Sequence, residues 1–75
     1  MKLTKWEIEN ALRDTEQRLF LTIIYLRKLA RKTTDNNLLD SLFGLTESLR
    51  VSLSHTQDVL EDCMVGDFDS ILEED

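Results

Sequence analysis

Seventy-five residues, 41% hydrophobic and 32% charged, make one small domain whose interior is too thin for burial alone to give it much stability. A single cysteine, Cys63, excludes an internal disulfide, and with a single histidine, His55, it leaves no ligand set for a structural zinc ion. Association is then the remaining way to stabilise so short a chain, and a net charge of -6 argues against non-specific nucleic-acid binding.

The opening residues Met1-Lys2-Leu3-Thr4-Lys5 lack the apolar stretch of a secretory signal, and no later run is long enough to span a bilayer, which predicts a cytoplasmic protein. The first helix has a marked start. Thr4 followed by Glu7 fits a capping box, with Leu3 and Ile8 placed as a hydrophobic staple. From there Ile8, Leu12, Thr15, Leu19, Thr22 or Ile23, Leu26 and Leu29 or Ala30 recur at steps of four and three, one helical stripe. Arg27, Lys28, Arg31 and Lys32 fill the last turns, where cations complement the helix dipole.

Thr33-Thr34-Asp35-Asn36-Asn37 has no apolar residue and reads as the turn. After it Leu38, Leu42, Leu45, Leu49, Ser52 or Leu53, Thr56, Leu60 and Cys63 repeat the four-three spacing, widened by Leu39, Thr46 and Met64. Gly44 is unfavourable inside a helix by about 1 kcal/mol and is the one place for a break, into a short helix at about 36–43 and a longer one from about 46. The leucine register passes through it without a change of phase, which favours one continuous second helix ending near Gly66. Two matched helices on a short polar loop pack antiparallel. The expected fold is therefore all-α: a two-helix hairpin, about 4–32 and 36–64, within residues 1–65, followed by an acidic and apolar segment, 66–75, as a short tail or helical turn. In that segment Phe68, Ile71 and Leu72 are the candidate docking residues. Either Phe68 or Leu72 folds back to close the open end of the hairpin near Lys2 and Lys5, or the segment docks on a basic groove elsewhere.

Charge divides the chain. Residues 1–34 carry eight basic and four acidic side chains, a balance of +4, and residues 35–75 carry one basic and eleven acidic, a balance of -10. That asymmetry serves the pairing of the two helices, or the recruitment of a charged partner. Apolar residues outside the hairpin stripe are more informative. Residues 19–26 of the first helix are apolar nearly all round, with Trp6, Phe20 and Ile24 on one side and Leu21 and Tyr25 on another. A large side chain gains roughly 1.5–3 kcal/mol on burial, so a cover is expected: the C-terminal segment, a second copy forming a four-helix bundle, or a different protein. Helix 2 offers less, since only Phe43, Val51 and Val59 leave its stripe. The expected partner-binding set is Trp6, Arg13, Phe20, Leu21, Ile24, Tyr25 and Arg31, the arginines supplying polar rim contacts.

Catalysis finds no arrangement here. A two-helix protein has little depth for a carboxylate cleft, and Ser54, His55 and Asp58 point in different directions on a helix, so they form no triad. Cys63 lies on the helix 2 stripe, as a small core residue does, and no glycine-rich phosphate loop is present. The reading is a non-enzyme without cofactor or metal. Arg13, Arg18, Arg27, Lys28, Arg31 and Lys32 could form a basic strip, and RNA-binding hairpin dimers of plasmid copy control share the architecture. Four acidic residues interrupt helix 1, however, and the acidic second half repels phosphate. An acidic inhibitor of a nucleic-acid-binding protein is the converse alternative.

The opening Leu3-Thr4-Lys5-Trp6-Glu7 and the stretch Tyr25-Leu26-Arg27-Lys28-Leu29-Ala30-Arg31-Lys32 resemble the small helical-hairpin co-chaperones of type III secretion systems, whose first helix closes on a Leu-Arg-x-Ala-Arg-Lys type of segment. The likeness covers about 30 residues; at the start of helix 2, Asn37-Leu38-Leu39-Asp40 stands where a Tyr-Gln-containing segment is expected. It implies a larger helical-repeat co-chaperone as immediate partner and the needle subunit as client. The expectation is thus a co-chaperone or adaptor working through helix 1, with a homodimeric four-helix-bundle regulator as the alternative.

Overall fold

The computed structural model describes residues 3–72. The chain is an all-α hairpin of two helices, α1 (Lys5–Lys32) and α2 (Asn36–Met64), packed against each other along their length. Thr4 caps α1, its Oγ1 accepting the Glu7 N–H at 3.1 Å. Leu3 and Ile8 line one apolar depression, as the staple requires. The loop is Thr33, Thr34 and Asp35. Its own polar side chains build it: Thr33 Oγ1 accepts from the Asp35 N–H, and Asp35 Oδ1 caps α2 by accepting from the Leu38 N–H at 2.9 Å.

α2 runs unbroken through Gly44. It ends on Gly66 at φ 92°, the left-handed conformation open to glycine. The Gly66 N–H donates to the Cys63 carbonyl and the Asp67 N–H to that of Asp62, the paired bonds of a Schellman ending. Residues 65–71 continue as tight turns, with Asp69 N–H to Gly66 O and Ile71 N–H to Phe68 O.

The packed seam differs in rotation from the one the leucine pattern predicts. On α2 it is Leu39, Leu42, Thr46, Leu49, Leu53, Thr56, Leu60 and Cys63, all buried or half-buried at unbroken steps of three and four. The expected stripe members Leu38, Leu45, Ser52 and Met64 are exposed instead. On α1 the seam is Leu12, Glu16, Leu19, Ile23, Leu26 and Ala30, with Ile8 beside it, while Thr15, Thr22 and Leu29 face solvent. Two causes account for the difference. The aliphatic stems of Glu9 and Glu16 lie half-buried, so charged residues occupy seam positions. Thr46 is buried because its hydroxyl donates back to the Leu42 carbonyl at 2.8 Å and needs no other partner. Among the described residues only Ile23, Leu60 and Cys63 form a fully buried apolar core.

Candidate protein-binding face

Two edges of the hairpin flank this seam. On the first, Trp6, Arg13, Phe20 and Arg27 stand seven residues apart on α1, opposite Phe43, Arg50, Gln57 and Met64, likewise seven apart on α2. Three observations place these rows together. Arg27, Ala30 and Arg31 share an open groove with Leu39 and Phe43 near the loop. Glu16, Gln17 and Phe20 share another with Leu53 and Gln57 at mid-length. Toward the open end the Arg13 guanidinium donates to the Met64 Sδ at 3.7 Å. The face is therefore a shallow apolar trough running most of the hairpin's length, with Trp6 63%, Phe20 54% and Phe43 59% exposed.

The next row outward on α1 is Asn10, Gln17, Ile24 and Arg31, and on α2 it is Asp40, Glu47, Ser54 and Glu61. The trough is thus polarised across its width. The α1 side holds Arg13, Arg27 and Arg31 with Glu16 as its one carboxylate; the α2 side holds three carboxylates, of which Glu47 meets Arg50 at 3.5 Å. Arg13, Arg27 and Arg31 make no ion pair among the described residues.

Of the residues expected at a partner surface, Trp6, Arg13, Phe20, Ile24 and Arg31 lie on this edge of α1. Ile24 is half-buried and belongs in part to the hairpin's own packing. Leu21 and Tyr25, 54% and 61% exposed, fall on the back of α1 away from α2, outside the trough. The contribution of α2 is larger than the leucine stripe suggests: Phe43 and Met64 line the trough, and Leu38, Leu45 and Val51 are exposed elsewhere. Val59, by contrast, is half-buried. The missed signal was the heptad step 43/50/57/64, which mirrors 6/13/20/27.

The opposite edge carries Ile8, Thr15, Thr22 and Leu29 of α1 with Leu38, Leu45, Ser52 and Val59 of α2, an uncharged row. Its open end is closed by the C-terminal segment, where Phe68, Ile71 and Leu72 line a depression with Leu3, Ile8 and Val59. Phe68 and Leu72 are half-buried there and Ile71 stays largely exposed. Asp69 Oδ1 meets Lys5 Nζ at 3.6 Å and ties the segment to α1. The fold-back expected near Lys5 is present; Lys2 lies outside the described residues.

Cys63 has no exposed surface, and its thiol pKa is pushed up by that burial, further by the Glu9 and Asp69 carboxylates and against the pull of Lys5. Such a thiol stays protonated and shielded, as a packing residue. Among the described residues no group of three His, Cys, Asp or Glu is placed to hold a metal ion, and no helix is long and apolar enough to cross a membrane. Comparison with known proteins adds no family to this picture: no family model, curated protein or solved structure matches the chain.

Proposed function

We propose that the chain is a non-catalytic, cytoplasmic protein-binding module, an adaptor or co-chaperone that covers a helical partner with the trough along the Trp6–Phe20 edge of α1. The observation that carries this reading is the trough itself: three aromatic side chains, Trp6, Phe20 and Phe43, each more than half exposed on one edge of a protein in which, among the described residues, three form the buried apolar core. Grooves of this kind accept the apolar stripe of an amphipathic helix, with aromatic anchors at the centre and arginines at the rim. The more specific form, a co-chaperone of the type III secretion kind, rests on the resemblance of residues 3–7 and 25–32 and takes the needle subunit and a helical-repeat co-chaperone as partners.

The test is capture followed by reconstitution. Partners cross-linked to the native chain in its own cell are identified, purified and titrated against the wild type and Phe20→Asp. Phe20 is 54% exposed, so the substitution is expected to leave helicity intact and weaken binding by at least tenfold, in line with the ~2 kcal/mol loss typical of a central aromatic anchor. Binding that survives Phe20→Asp unchanged counts against the trough. The half-buried Ile24 is the poorer probe, because Ile24→Asp also disturbs the hairpin.

A further inference from the structure

We infer that the trough, when no client fills it, closes on a second copy of the same chain, with the twofold axis parallel to the helices, so that each α1 lies over the α2 of the other copy and both loops sit at one end. This inference rests on the trough being an interaction surface, and the charge on its walls selects the occupant. The α1 side of the trough holds Arg13, Arg27 and Arg31 against one carboxylate, Glu16, and the α2 side holds Asp40, Glu47 and Glu61 against one cation, Arg50. The two sides thus carry opposite net charge, and the surface is complementary to itself once α1 faces α2.

A rotation about an axis along the helices preserves height on the hairpin. Each α1 side chain therefore meets, on the other copy, the α2 residue found at its own level. Arg27 and Arg31 stand at the level of Leu39 and Phe43. Arg31 then faces Asp40 of the second copy, and Arg27 faces the Phe43 ring, a cation over an aromatic face. Phe20 stands at the level of Leu53 and Gln57 and is covered at the centre. Trp6 meets the region of Met64, a ring against a thioether. The alternative twofold, perpendicular to the helices, sets α1 on α1 and α2 on α2. It sets the net basic α1 side on itself and the net acidic α2 side on itself, and charge disfavours it.

Two further features fit a second copy. The hairpin outline of 52 × 19 Å is of the order of the ~800 Å² per partner that a stable interface takes. Up to Leu72 the C-terminal segment closes on Leu3, Ile8 and Val59 at the edge opposite the trough.

Sedimentation over a concentration series, combined with spin labels on Asn37→Cys, tests both the stoichiometry and the geometry. Asn37 is exposed at the loop end, and the native Cys63 is fully buried and stays unlabelled. A dimer is expected whose labels lie far closer together than the 52 Å length of the hairpin. The Arg31–Asp40 pairing occurs twice by symmetry, so Arg31→Asp is expected to weaken the dimer about tenfold. Combining it with Asp40→Arg restores the affinity. Both residues are exposed, and circular dichroism checks that the hairpin persists. A chain that remains monomeric up to its solubility limit, labels separated by the full hairpin length, or a dimer indifferent to Arg31→Asp overturns the inference. A monomer that still binds a helical partner through Phe20 leaves the proposed function standing without it; a dimer of the stated geometry that binds no other protein does the reverse.

Discussion

Cys63 has the most restricted environment of any described residue, with no accessible surface at the end of the seam where Glu9, Lys5 and Asp69 converge. Because its folded-state pKa lies above the ordinary 9.0, the folded chain holds this proton more tightly than the unfolded one. The contribution to stability is complete below about pH 9 and is lost as pH rises through the folded value. Cys63→Ala removes both the packed sulfur and this dependence, at a cost on the order of 1 kcal/mol near neutrality. In denaturant titrations the gap between wild type and variant is expected to narrow at alkaline pH. Its place in the seam was legible from spacing alone, since Leu53, Thr56, Leu60 and Cys63 follow at three and four residues. The rotation of α1 was not legible, because threonines at 15 and 22 and glutamates at 9 and 16 are ambiguous until the partner helix fixes which of them has its stem covered.

At the level of the elements, ends were easier to read than faces. Thr4 and Gly66 act through their own backbone and side-chain atoms, and such short-range chemistry is legible in sequence; Asp35, read only as part of the turn, proves to be the cap of α2. The choice between Leu38 and Leu39, or Leu45 and Thr46, depends on the other helix, and pattern alone favoured the leucines. Gly44 has nothing within 4 Å of the position its Cβ would occupy, so neither a bend nor a close approach requires glycine. Gly44→Ala is expected to raise stability by about 1 kcal/mol through helix propensity, visible as a higher thermal midpoint. Asp35→Ala is expected to lower it by about 1 kcal/mol by removing the cap on the Leu38 N–H. Gly66→Ala destabilises as well, since at φ 92° its new Cβ would stand 2.9 Å from Asp69 Oδ2.

The whole molecule is one layer of two helices, and no third element lies over the trough among the described residues. Its stability is therefore tied to what covers the exposed aromatics. Any occupant that binds the folded chain and not the unfolded one raises the apparent midpoint by mass action. If that occupant is a second copy, the thermal midpoint measured by circular dichroism is expected to climb steadily with protein concentration. Phe20→Asp should flatten that dependence while leaving the dilute-solution value near that of the wild type. A concentration-independent midpoint would assign all of the stability to the single hairpin.

The three-residue loop carries a further consequence. With Thr33 and Asp35 each engaged by side-chain to backbone bonds, there is no slack through which α1 could slide against α2. The rows 6/13/20/27 and 43/50/57/64 are consequently locked in phase, with a tooth every seven residues, about 10.5 Å along the axis. The trough then works as a gauge. On the α1 row the aromatic teeth, Trp6 and Phe20, are two steps apart with Arg13 between them and Arg27 beyond. The helix that fits best therefore alternates an apolar residue with an acidic or polar one on this pitch, and one that drifts from it meets an arginine where it brings a leucine.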